Sequence, residues 1–187
     1  LFNKKYFQYE STIHEQIVSK DGKVCNMVPV DITVYHIGYT KKAINRTNKL
    51  KRNMDMLTKA IEVNSNDPYL YFQLGKTNYL MKDYITSGFY FEKALTFELD
   101  LKLEYVEDLI ETYGYALINS EKYSEAMKLE NYLDLYSNSS DFHFLMGLIY
   151  MNNAKFKQAV ESFLMCTKFP SSKVEGITTY SSYYNIG

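Results

Sequence analysis

Three glycines are followed by the same sequence of residue types, and this repetition constrains the chain more than any other feature. Gly75, Gly114 and Gly147 stand 39 and 33 residues apart. Nine residues after each comes an aromatic ring: Tyr84, Tyr123 and Phe156. Twelve after comes a small residue, Ser87, Ala126 or Ala159, and nineteen after come Ala94, Leu133 and Cys166. Sixteen after stand Phe91, Glu130 and Phe163, so the middle copy breaks the pattern. Small residues facing one another let two helices approach closely, and the aromatic fills the space near the turn between them. One such hairpin cannot bury its apolar faces alone, so the copies must stack. The spacing predicts a mainly α chain of paired helices. Five extra residues fall between the first two copies, near residues 99–104, and predict a longer connection or an extra helical turn there.

This pattern resembles the tetratricopeptide repeat, with a period of about 34 residues. Tyr71-x-x-Leu74-Gly75, then Asp83-Tyr84, Ser87, Phe91 and Ala94, carry the fullest match; Met146-Gly147, Tyr150, Phe156, Ala159 and Phe163 carry the third copy. The resemblance implies an α-α superhelix with repeats over about residues 69–102, 108–140 and 141–173. Ala60 lies 34 residues before Ala94, so residues 54–63 read as a second helix without its first. Tyr183-x-x-Ile186-Gly187 reads as the start of another first helix. These half-repeats, with Leu1 in place of Met, lead us to expect a piece of a longer protein.

Residues 1–40 are of another kind. Tyr6-Phe7-Gln8-Tyr9 reads as a short strand, Ile17 and Val18 lead into an Asp21-Gly22 turn followed by Val24, and 31–36 alternate with β-branched residues. From residue 41 the apolar spacing turns helical, and Asn64-Ser65-Asn66-Asp67-Pro68 is a stop. We therefore divide the chain into a small β and loop segment, 1–40, and a helical repeat domain, 41–187.

Composition narrows the function classes. A formal net charge of −1 gives no overall pull toward nucleic acid or anionic lipid. The basic run Lys41, Lys42, Arg46, Lys49, Lys51 and Arg52 reads as a solvated helix face, or as a contact for phosphate or an acidic partner; without interleaved aromatics it makes no case for nucleic acid. The longest apolar run, 144–151, is far below the roughly 20 residues of a membrane-spanning helix. Cys25 and Cys166 form no disulfide framework and fit a reducing compartment, so a cytoplasmic location is expected.

No Gly-rich phosphate loop, Gly-x-Ser-x-Gly or Asp-x-Asp occurs, and His14-Glu15 lacks the second His of a zinc-protease helix, since position 18 is Val18. Read alone, His14 fits a hydrogen-bonded strand-end residue better than a ligand. Leu1-Phe2-Asn3 through Tyr9-Glu10, then Ile13-His14-Glu15-Gln16-Ile17, and later His36-Ile37-Gly38-Tyr39, nevertheless resemble the tail of a family 2 glycosyltransferase catalytic domain, to which repeats are attached in one subgroup. The resemblance implies a nucleotide-sugar donor and a divalent metal, Mn or Mg, in the full-length enzyme. It implies His14 as a metal or diphosphate ligand, with Glu15 and His36 on the donor or acceptor side, and places the metal-binding and base carboxylates upstream of Leu1. The chain alone would then be inactive, its repeats serving acceptor or protein recognition, or assembly. The alternative is a non-enzymatic tetratricopeptide-repeat scaffold for protein interaction.

In such repeats the first helix of each pair lines the concave face. The resemblance assigns to it Tyr69, Phe72, Lys76, Tyr79 and Leu80, then Asp108, Glu111, Tyr115, Ile118 and Asn119, then Asp141, Phe144, Leu148, Met151 and Asn152. Rings with nearby amides suit a peptide, protein or glycan, although several of these rings could instead pack between repeats. A second copy of the chain, pairing through Tyr180–Ile186, is a further expected partner.

Overall fold

The computed structural model describes residues 2–10, 16–23 and 49–187. It divides into two compact units, Leu1–Lys59 and Ala60–Gly187.

In the first unit, β1 (Phe7–Glu10) and β2 (Gln16–Ser19) pair antiparallel, with Phe7 opposite Ser19 and Tyr9 opposite Ile17. Phe2 sets its ring edge-on to Phe7 and Tyr9, at 6.4 and 5.0 Å between centroids. The Asp-Gly signal marks a real turn: Gly22 has φ +73°, and Ser19 Oγ donates to Asp21. The strand that Ile17 and Val18 pair with is β1, since Lys20 N–H also donates to the Tyr6 carbonyl at 2.9 Å. Val24 and the strand expected over 31–36 lie outside the described residues.

Helix α1 (Lys49–Val63) stops at the stretch that the sequence marks as a break. Asp67 then accepts a hydrogen bond from Tyr69 N–H at 2.9 Å and Pro68 takes the first helical position, which starts α2 (Pro68–Leu80). Three antiparallel pairs follow: α2 with α3 (Tyr84–Leu95), α4 (Glu104–Asn119) with α5 (Tyr123–Ala126), and α6 (Ser140–Asn152) with α7 (Phe156–Cys166). A last helix, α8 (Tyr180–Ile186), packs on α7. Helix α4 joins the pairs, since it contacts α2, α3 and α6.

Glycine sets the closeness of each pair. A Cβ on Gly75 would meet the Phe91 ring at 2.5 Å, and one on Gly147 would meet Phe163 at 2.5 Å. Phe91, Leu109, Ile110, Phe142, Leu145, Met146, Ile149 and Phe163 are fully buried in one continuous core. Each such ring stabilises the fold by about 1.5–3 kcal/mol through burial. Ser87 Oγ donates to the Gly75 carbonyl at 2.9 Å, so the small residue twelve positions on is also a cross-helix tie.

The middle pair departs where the sequence does. Helix α5 ends after one turn and continues as a 3₁₀ stretch, Met127–Tyr132. The change of winding brings Leu129, not Glu130, against Gly114, 2.9 Å from where a Cβ would stand. Glu130 faces out and accepts a hydrogen bond from Tyr150 Oη at 2.9 Å. The five extra residues are shared between both expected devices. Helix α4 begins ten residues before its glycine while α2 and α6 begin seven before theirs, and a connection over 96–103 takes up the rest.

Each hairpin turns through a left-handed residue seven positions after the glycine: Lys82, Glu121 and Ala154, with φ +64°, +60° and +58°. The following N–H reaches back to the last helical turn, from Asp83 to Asn78, Lys122 to Leu117 and Lys155 to Tyr150, at 2.8–3.0 Å. The sequence gives no sign of this, because none of the three positions holds glycine.

Candidate functional site

The first helices of the pairs bring a set of rings together at the amino-terminal ends of α2 and α4. Tyr69 and Tyr105 meet edge to face at 5.1 Å, and Phe72 lies 5.7 Å from Tyr69 and 5.6 Å from Tyr105. With Gln73, Lys76, Glu104, Asp108 and Lys173 they line an open cleft of about 380 Å³. Phe72 is its buried floor, while Tyr69 and Tyr105 are half-exposed walls. Tyr105 carries no repeat signal, because it lies in the extra turn of α4, which explains why sequence reasoning missed it.

Lys76 crosses from α2 to α4. Its Nζ donates to Asp108 Oδ2 at 2.5 Å while lying 5.2 Å from the centre of the Phe72 ring. Thr112 Oγ1 holds the other Asp108 oxygen at 3.2 Å. The pair is about four-tenths exposed on each side, so it fixes the orientation of α2 on α4 more than it stabilises the fold. A ring-walled cleft with an ion pair at its rim can take an apolar or aromatic side chain and orient the main chain next to it.

Further along the face the expected residues divide into two kinds. Tyr79 stands 5.3 Å from the Tyr84 ring, with its hydroxyl 3.5 Å from Asn119 Nδ2. Burial raises the Tyr79 and Tyr115 phenols above their ordinary range, and Tyr115 much further, chiefly because burial acts more strongly on it, with Glu111 and Asp141 adding negative charge beside it. Phe144 turns into the pair and sets its ring edge-on to Phe163 at 5.4 Å; Leu148 and Met151 pack on the same core. Asn119 and Asn152 each donate to their own helix, at the Tyr115 and Leu148 carbonyls (2.7 and 2.8 Å). Leu80 is exposed. The face therefore offers rings chiefly at its α2–α4 end.

The connection over 167–179, between α7 and α8, returns to this face. Lys173 and Val174 N–H donate to the two oxygens of buried Asp141 at 2.9 and 3.0 Å. The Lys173 ammonium lies 3.1 Å from Glu107 and 3.2 Å from Glu111. Ser139 Oγ, 3.3 Å away, also donates to Glu111. Burial pushes the Glu111 carboxyl up to about 7, against the pull of Lys173 and with the help of Glu107 and Asp141. Lys173 belongs to no repeat position, so periodicity could not have placed it here.

His14, Glu15 and His36 lie outside the described residues, so the metal, nucleotide-sugar and catalytic expectations remain with the resemblance that raised them. Lys41, Lys42 and Arg46 lie outside them too. Of the expected pairing surface, Tyr180, Tyr183 and Tyr184 are exposed and Ser182 is buried. Among the described residues no helix is long and apolar enough to cross a membrane, and no group of three or more His, Cys, Asp or Glu is placed to hold a metal ion.

Comparison with known proteins bears on the fold. Residues 140–170 match the family described as tetratricopeptide repeat. The chain is 29% identical over 169 residues to the TPR repeat-containing protein MJ1428 of Methanocaldococcus jannaschii, an alignment taking in 84% of this chain and 29% of that protein. The chain thus spans under a third of that relative's length. Among solved structures it is similar to YrrB, a TPR protein with an unusual peptide-binding site, with a TM-score of 0.62 at 22% identity over 78% of this chain and 70% of that one. It is also similar to MamA (residues 41 to the end) from Desulfovibrio magneticus RS-1, with a TM-score of 0.57 at 18% identity over 68% of this chain and 70% of that one. The fold is a tetratricopeptide-repeat α-α superhelix with a small amino-terminal β segment.

Proposed function

We propose that the Ala60–Gly187 unit is a protein-interaction module that holds an extended peptide of a partner on its concave face. One observation carries this reading: Tyr69, Phe72 and Tyr105 converge on an open cleft with the Lys76–Asp108 pair at its rim. Ring walls give apolar contact area at little cost in side-chain entropy, and the rim charges and the Tyr79–Asn119 pair give orientation. The likeness to YrrB, whose own peptide-binding site is named as unusual, supports the peptide over a small-molecule ligand.

The matching family, MJ1428 and YrrB are all described by tetratricopeptide repeats, and they favour the interaction module over the sugar-transfer reading. If residues 1–40 do end a glycosyltransferase domain in a longer protein, the same face is where its acceptor or an assembly partner would dock.

Selection of random peptides on the immobilised chain tests the proposal. Enriched peptides should lose binding when Tyr69→Ser and Tyr105→Ser are combined and the melting temperature is retained. Binding that survives both substitutions would place the peptide elsewhere.

A further inference from the structure

The 167–179 connection grips α4 and α6 with main chain and side chain together. Two successive N–H groups of residues 173 and 174 sit on the Asp141 carboxylate, Ser140 Oγ donates to the Ser171 carbonyl at 3.1 Å, and the Lys173 ammonium reaches Glu107 and Glu111. This is how a groove holds an extended peptide, with main-chain bonds for affinity and a side-chain contact for specificity. Asp141 and Glu111 are only 6% and 8% exposed, so the anchoring side is built into the fold. The strap side is not, for Lys173 is 48% and Val174 59% exposed. Gly176, with φ +90°, follows them. Lys173 also forms part of the wall of the ring cleft itself.

We propose that residues 171–174 form a strap that keeps the cleft partly closed, with Lys173 standing where a basic residue of the bound peptide goes, and that a peptide carrying Lys or Arg opens the cleft by taking over Glu107 and Glu111. The proposal rests on the peptide-groove reading above and adds the partner's charge and the means of access. Charge complementarity selects the occupant. Lys76 is already committed to Asp108, so once Lys173 leaves, Glu107 and Glu111 lose the cation that they share, and Glu104 on the cleft wall adds a further negative charge. Lys173 is half-exposed while Glu107 and Glu111 are largely buried, so the strap yields only to a cation that takes its place and keeps both carboxylates paired. While it is closed, the apparent affinity for any peptide is lowered in proportion to the open fraction.

The test uses a short fluorescein-labelled peptide alternating Lys and Tyr, and a Glu-Tyr counterpart, with fluorescence anisotropy on the whole chain. Lys173→Ala should bind the Lys-Tyr peptide about tenfold more tightly than the native chain does. Lys173→Gln, which keeps a long stem, should do the same. Glu107→Gln with Glu111→Gln should abolish the preference for Lys over Glu. Peptide added to the native chain should speed hydrogen exchange at the amides of residues 173 and 174. If the native chain binds and neither Lys173 variant binds more tightly, the strap is overturned and the groove stands. If no form of the chain binds either peptide, the groove reading falls and takes the strap with it.

Discussion

Gly75 and Phe91 occupy adjoining space so closely that a Cβ on the glycine would stand 2.5 Å from Phe91 Cε1. The obstacle is the side of a buried ring, which cannot swing away as the end of a flexible side chain would. Gly75→Ala should therefore destabilise the chain by about 1–3 kcal/mol, despite the higher helix propensity of alanine. Adding Phe91→Leu should recover part of that loss, and denaturant melts of the two single variants and the double variant measure the coupling.

The hairpin turns offer a change in the opposite direction. Ala154 is exposed and held at φ +58°, a conformation that costs an L-residue about 1–2 kcal/mol and glycine almost nothing. Ala154→Gly should raise stability by about 1 kcal/mol, because the position lies past the helix end and loses no helical propensity. A melting temperature equal to or below that of the native chain would contradict the turn geometry.

Much of this organisation is legible in the sequence, and the unread parts have physical reasons. Glycine-to-aromatic spacing reports close packing directly, so the three hairpins could be read from Gly75, Gly114 and Gly147. Glu130 marked the middle repeat as irregular, but only the winding of 127–132 shows Leu129 taking the inward place. The ring cleft was half legible: Tyr69, Phe72 and Lys76 follow the period, while Tyr105 sits in an inserted turn. Lys173 was illegible, since a loop's return to a distant helix leaves no periodic trace.

Glu111 makes stability pH-dependent in a direction opposite to that of most carboxylates. Its folded-state pKa of about 7 exceeds the ordinary 4.5, so between these values the folded chain holds a proton that the unfolded chain has released. Its contribution is thus fully present below pH 4.5 and is lost as pH rises to about 7. Glu107, Asp141 and Lys173 face the group and set the balance. Relative to Glu111→Gln, the native chain should lose about 3 kcal/mol of stability across this window and then level off. Parallel stability curves for the two proteins would remove the buried-acid account.

Tyr79 and Tyr115 should part company on truncation. Tyr115 lies deeper, between α4 and the Asp141 end of α6, and Tyr115→Ala should cost about 3 kcal/mol, as loss of a largely buried ring does. Tyr79 is held by Tyr84 and Asn119 at the face, and Tyr79→Ala should cost about 1 kcal/mol while weakening peptide binding. Thermal melts of each single variant separate the two roles.

The central claim is that a peptide docks in the cleft between α2 and α4, and the most direct measurement is amide chemical-shift mapping with a selected peptide. Bound peptide should shift the resonances of Tyr69, Gln73, Lys76, Tyr105 and Asp108, with smaller changes at residues 173 and 174 as the strap moves. Shifts confined to the outward helices α3 and α7, with the cleft residues unmoved, would contradict the account.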